Sequence, residues 1–263
     1  MDGVILKESE LLNIALKNEK VKKSDIPNIL IVLTRYYFST GLSKDEVYLK
    51  LSEYYKSTDI GYNETVSYEF IKNLINSVHR SGRFNLVDVN EVSISKKEWD
   101  RIISLNNKGA EKLAFSMLVY QKINEMKNPT SNGWINTERS YLMKEAGFTT
   151  QPLDVKLNFH TLYKNGYIDK RKAVDATGYL INYRDINEEV NEEVNEPKII
   201  ITNFEKIITY YDEHRNGNKY KECEICNKRF KVSKIGKPPK YCPNCAKKIK
   251  SEKTVIARKN KKI

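Results

Sequence analysis

Cysteine is missing from the first 222 residues of this chain and from the last 18, so all four cysteines lie between positions 223 and 245. That distribution excludes a disulfide framework spanning the protein and predicts a reducing, cytoplasmic setting. Long apolar runs are missing too. The best stretch, Ile26-Pro27-Asn28-Ile29-Leu30-Ile31-Val32-Leu33, falls well short of the roughly 20 apolar residues that cross a bilayer, so no membrane partner is expected. Met1 to Glu8 has neither the basic nor the apolar region of a secretory signal. The only histidines are His79, His160 and His214, widely scattered, and the chain contains no GxxxxGK[ST], HExxH or GxSxG motif. Ile235-Gly236-Lys237-Pro238 has a glycine and a lysine but not the setting of a phosphate loop. These absences disfavour an enzyme and predict a chain with no catalytic residue.

What is present is charge, and it is unevenly placed. The 263 residues carry a net +12, with 40% hydrophobic and 30% charged residues, which describes a surface-rich protein of two ordinary domains or one with appendages. From Asn216 to Ile263 there are sixteen Lys and Arg against Glu222, Glu224 and Glu252, a balance of +13, whereas the preceding 215 residues balance to −1. The basic character belongs to one end.

Helical periodicity and start and stop residues predict an α+β, mainly helical chain: one or two winged-helix-like units, then a small C-terminal zinc ribbon and a basic tail. Residues 1–106 read as a helical, winged-helix-like domain. Its helices run from Ser24 (the candidate N-cap) to Thr40, from the Ser43-Lys44-Asp45-Glu46 capping box to about Tyr55, and from Asn63 to Ser81, the last periodic through Val66, Phe70, Leu74 and Val78. A hairpin of Phe84–Val89 with Glu91–Ile94 follows, and a second capping box, Ser95 to Glu98, opens a bridging helix carrying Trp99. Residues 107–184 repeat the order more clearly. A helix spans Gly109 to Met126, a strand Trp134 to Asn136, a Thr137-capped helix runs to Ala146, a further helix covers Gln151 to Asn165, and two strand-like segments flank a polar turn. Residues 185–197 carry six acids and no bases and read as an acidic linker; 198–215 hold a short helix capped by Asn203, 216–245 the ribbon and 246–263 the tail.

Cys223-x-x-Cys226 and Cys242-x-x-Cys245, fifteen residues apart, have the spacing of a four-thiolate zinc site, in which each two-residue spacer turns a knuckle that presents two sulfurs to one ion. Two paired motifs with no further cysteine favour structural Zn2+ over a disulfide or redox pair, and four thiolates close the shell against catalytic water. Asn227 suits a left-handed turn, Lys228 to Val232 and Lys240 to Cys242 suit the ribbon strands, and Phe230 and Tyr241 supply apolar packing. Lys228, Arg229, Lys231, Lys234, Lys237 and Lys240 between the knuckles, and Lys247, Lys250 and Arg258 beyond them, offer a basic surface to a polyanion. The tail has too few apolar residues for a core of its own, so binding is expected to order it. In the second unit Gln151 to Asn165 is the candidate groove-entering helix, with Lys156, His160 and Lys164 on its outer face and Lys170, Arg171 and Lys172 on the wing.

A winged-helix region followed by Cys223-Glu224-Ile225-Cys226-Asn227-Lys228, Lys240-Tyr241-Cys242-Pro243-Asn244-Cys245 and a basic tail resembles zinc-ribbon proteins of Gram-positive phages and mobile elements. The resemblance implies the four metal ligands and a phage setting, and names no target. The expected function is a non-enzymatic nucleic-acid-binding protein, with DNA favoured over RNA, serving as a regulator or replication accessory. An adaptor or inhibitor that engages a host protein complex through the ribbon is the alternative. A nuclease subunit is a weaker third reading, since no histidine or acidic metal cluster accompanies the cysteines.

Overall fold

Apolar residues at helical spacing between Ala15 and Val78 converge on one core in the computed structural model, which describes residues 5–58, 62–130, 132–148, 152–170, 178–183, 197–233 and 236–260, with backbone alone at 152–155, 197 and 255–260. The chain divides into two compact units, Gly3–Asn90 and Glu91–Ile263.

The first unit contains α1 (Glu8–Leu16), α2 (Ile26–Ser39), α3 (Lys44–Ser57) and α4 (Glu64–Ser81). Ser43 and Glu46 form the reciprocal capping box of α3, the Asn63 side chain caps α4, and Gly82 ends α4 at φ 64°, where a left-handed residue is needed. Ser24 does not cap α2. It lies in a short 3-10 turn, Lys23–Asp25, and its hydroxyl donates to Asp25. Ile29, Leu30 and Leu33 of α2 join Val47 and Leu51 of α3 and Ile71, Ile75 and Val78 of α4 in the core. Glu8 is fully buried; it pairs with Arg35 at 2.8 Å and accepts the backbone N–H of Val87 at 3.0 Å, tying α1 to the end of the unit.

Helix α4 forms as expected, with Val78 buried and Leu74 packed on the core, but the apolar row through it is not wholly buried. Val66 and Phe70 are exposed, and Ser67, Ile71, Ile75 and Val78 form the buried face of α4. A row spaced strictly by four drifts about 40° per step around a helix, whereas spacings of four, four and three hold one face. The hairpin between Phe84–Val89 and Glu91–Ile94 does not form. One residue, Asn90, is too short a connection for the two-residue turns that join antiparallel strands. Asp88 instead bridges Lys7, and β1 (Val92–Ser95) pairs with a strand about 100 residues onward.

That partner is β5 (Pro197–Ile201), antiparallel, with Val92 opposite Ile201 and Ile94 opposite Ile199. The second unit is built around α6 (Lys108–Lys127), which follows α5 (Lys96–Ile103) with its Ser95/Glu98 capping box. Leu113, Phe115, Met117, Leu118 and Val119 of α6 are all fully buried, so the helix is covered on every side and acts as a central post. Around it stand β2 (Trp134–Ile135), α7 (Arg139–Glu145), α8 (Pro152–Lys164), β3 (Ile168–Lys170) and β4 (Tyr179–Ile181), with the three strands in one antiparallel sheet of order β2-β4-β3. This is the helix, strand, helix, helix, strand, strand succession expected of residues 107–184. The cap differs: Glu138, not Thr137, precedes α7, and it makes no side-chain cap bond.

The acidic linker, 185–197, lies outside the described residues except for its last position, which begins β5. Asn203 accepts from the Glu205 backbone in a local turn, and the helix α9 begins later, at Ile208–Asn216, ending on Gly217 at φ 62°. Fully buried Glu111 of α6 accepts from the Tyr211 hydroxyl at 2.6 Å and from Arg215 at 2.9 Å, while Tyr211 lies 5.8 Å from the Trp99 ring. The C-terminal segment therefore springs from α9, which is fixed to the central post. Among the described residues no helix is long and apolar enough to cross a membrane.

Candidate metal centre and basic surface

The cysteine segment begins with a hairpin of β6 (Lys219–Glu222) and β7 (Arg229–Val232), paired Glu222 to Arg229 and Lys219 to Val232. Between the strands the chain turns a knuckle: Cys223 donates to the Lys228 carbonyl at 3.1 Å, and Asn227 donates to the Cys223 carbonyl at 2.9 Å. Asn227 takes the left-handed conformation at φ 55°, as expected. The second pair is presented differently from the expected ribbon strand. Lys240 to Cys242 form no strand, and β7 is paired with β6. Instead Glu224 donates to the Lys240 carbonyl at 3.2 Å, Cys242 immediately precedes α10 (Pro243–Asn260), and Cys245 lies in its first turn. Pro243 suits that first helical position, where its missing N–H costs nothing.

All four sulfurs lie within 4.8 Å of one another, with Cys226 and Cys242 at 3.8 Å. A tetrahedral ion with Zn–S bonds of about 2.3 Å places its sulfurs roughly 3.8 Å apart, so the cluster could hold a metal ion such as zinc. Cys223, Cys242 and Cys245 are buried, and Phe230 and Tyr241 pack against them as predicted. Burial opposes ionisation of Cys223, but N–H groups of Cys242, Cys226 and Ile225 outweigh it and bring the thiol down to about 6. Hydrogen bonding with Cys226, then burial, pushes Cys245 up to about 12. Thiolates this close together oppose one another's charge, a conflict that a bound cation would remove.

The predicted basic residues separate into classes. Lys247, Lys248, Lys250 and Lys253 are exposed on α10, and no carboxylate among the described residues pairs with them. Lys237 is exposed as well, and Lys231 is exposed beside Asp212. Lys228 and Lys240 form exposed pairs with Glu205 at 3.3 Å and Glu224 at 3.7 Å, contacts of small energetic weight. Arg229 is withdrawn from solvent. Its side chain is 8% exposed, stacks over Tyr210 at 3.6 Å, pairs with Glu213 at 2.5 Å and donates to Thr209. It clamps the hairpin to α9, an arrangement that Asn203 reinforces by donating to the Asn227 carbonyl at 2.6 Å. Lys234, Arg171 and Lys172 lie outside the described residues; Arg258 falls on α10, with its side chain undescribed. Lys156, His160 and Lys164 are exposed on α8, and Lys170 on β3.

The tail is a helix through Asn260, where a chain ordered mainly by binding was expected. Cys242 and Cys245, packed in the cysteine cluster, constrain its first turn, the costly step in helix formation, and the alanine- and lysine-rich sequence beyond propagates it. His214 packs edge-on to Trp99, and burial holds it below the usual imidazole range, which gives it a packing role. Residues that sequence reasoning missed include Arg139 and Tyr163, which join Lys156 and Lys170 around one groove. Arg139 did carry a signal: a cation in the first turn of a helix opposes the helix dipole. Comparison with protein-family models, with curated proteins and with solved structures returned no match.

Proposed function

We propose that this protein is a non-enzymatic nucleic-acid-binding protein, with DNA favoured over RNA, that uses α10 for backbone affinity and the α6–β4 region, read as a winged helix, for placement. The observation that carries the reading is the exposure of Lys247, Lys248, Lys250 and Lys253, without carboxylate partners among the described residues, on a helix whose first turn is anchored at the cysteine cluster. A cationic helix held in fixed orientation suits a regular polyanion better than a solvated charge run does. The β2-β4-β3 sheet and the exposed Lys156 and Lys164 on α8 support the winged-helix reading. The resemblance of the cysteine segment to phage zinc ribbons favours a regulator or replication accessory of a phage or mobile element. Gel shifts with DNA and RNA test this: the full chain should bind, the quadruple K247E/K248E/K250E/K253E should lose most affinity, and no binding by the full chain refutes it.

Ile225, 56% exposed at the knuckle tip, favours a second reading, an adaptor that meets a host protein through the metal module. Capture of one host complex after nuclease treatment, lost on Ile225→Asp, is its test.

A further inference from the structure

Helix α8 presents Lys156, His160 and Tyr163 at spacings of four and three, hence on one face, and the sheet adds Lys170 from β3. With Arg139 from α7 they surround a groove of about 190 Å3, and among the described residues no carboxylate lines it. Its floor is locked: Arg139 Nε donates to the Tyr179 hydroxyl at 2.6 Å, the guanidinium lies 5.2 Å from the Phe159 ring centre, and Phe159 packs at 5.0 Å on Tyr179. Among the described residues no carboxylate pairs with Arg139, Lys156 or Lys170, and Asp169, next along β3, accepts from Asn182 at 3.1 Å. Tyr163 at the rim is 57% exposed. An exposed aromatic face beside unpaired cations matches the two parts of a nucleotide, a planar base and a phosphate. In a duplex the base faces are already stacked on each other, so a ring of this kind is usable only by an unstacked base.

We propose that this groove is a subsite for one unpaired nucleotide of single-stranded DNA, with the base stacked on Tyr163 and the adjoining phosphates held by Lys156, Lys170 and Arg139. The proposal rests on the nucleic-acid reading above and adds a preference for single strands to it. The rigid floor fixes where the cations stand, and the exposed tyrosine can be removed without opening the core.

The test is fluorescence anisotropy of the full-length, zinc-loaded chain with a labelled oligothymidine and with a duplex of equal length. Tyr163→Ala should weaken oligothymidine binding about tenfold, the usual effect of losing one base–aromatic stack, while duplex affinity changes less than twofold. Tyr163→Phe should stay within twofold of wild type, and K156Q/K170Q should weaken the single strand more than the duplex. An unchanged melting temperature for Tyr163→Ala excludes misfolding as the cause. If Tyr163→Ala binds oligothymidine as wild type does while the α10 charge variant does not, the subsite is refuted and the nucleic-acid reading stands. Equal losses on both DNAs also refute it, and no binding by the wild type refutes both.

Discussion

Glu111 shows how one side chain can hold two helices of the second unit together. Its carboxylate is fully buried on α6 and satisfied by the Tyr211 hydroxyl and the Arg215 guanidinium, both from α9. Arg215 keeps about a third of its side chain in solvent, at 32% exposure, so the ion pair is partly screened and the whole contact is worth less than a dry one. Glu111→Ala should destabilise the chain by about 2 to 3 kcal/mol in chemical denaturation, and a loss under about 1 kcal/mol would remove this role. Arg229 makes a similar point about the hairpin. Its flat guanidinium both stacks on Tyr210 and bonds Glu213, which a lysine ammonium does not reproduce. Arg229→Lys should speed amide exchange in β6 and β7 at least severalfold while the net charge stays the same. Exchange at the wild-type rate would mean that Arg229 is free to contact ligand after all. Neither role is visible in sequence, where Arg229 is one of sixteen basic residues after position 215 and nothing marks its partner.

Local elements were legible because their causes are local. The capping boxes at Ser43 and Ser95, the stop at Gly82 and the left-handed Asn227 each depend on a few adjacent residues, and all are formed. The cysteine cluster was equally legible, since two-residue spacers dictate the knuckles. The pairing of β1 with β5 was not, because the register Val92 to Ile201 joins strands about 100 residues apart and no local rule selects the partner. The seat of the second cysteine pair on a helix was missed for a related reason: charge density in the tail concealed a segment of ordinary helix formers after Pro243. The metal module itself has a core of four cysteines with Phe230 and Tyr241, too small to fold unaided. The chain should therefore bind one zinc ion, and Cys226→Ser or Cys242→Ser should abolish stoichiometric metal in elemental analysis. Chelation should erase exchange protection in 219–260 while α6 stays protected. A chelated chain with β6, β7 and α10 still protected would show that metal is not what orders them.

At the scale of the whole molecule, the first 215 residues are nearly neutral and the excess positive charge lies in the last 48, and within the second unit α9 joins α6 through Glu111 and the hairpin through Arg229. Four bound thiolates and one Zn2+ would lower the terminal charge from +13 to about +11, leaving it strongly cationic. If the cationic end binds a nucleic acid, as proposed, it acts through counterion release, and the signature is the dependence of binding on salt. The most direct measurement is the affinity of the full zinc-loaded chain for duplex DNA from low to moderate ionic strength, beside the K247E/K248E/K250E/K253E variant. The logarithm of affinity should fall linearly with the logarithm of salt, and the variant's slope should be shallower by about 3 to 4, near 0.9 for each lost phosphate contact. A wild-type affinity insensitive to salt, or a variant with an unchanged slope, would contradict nucleic-acid binding through α10.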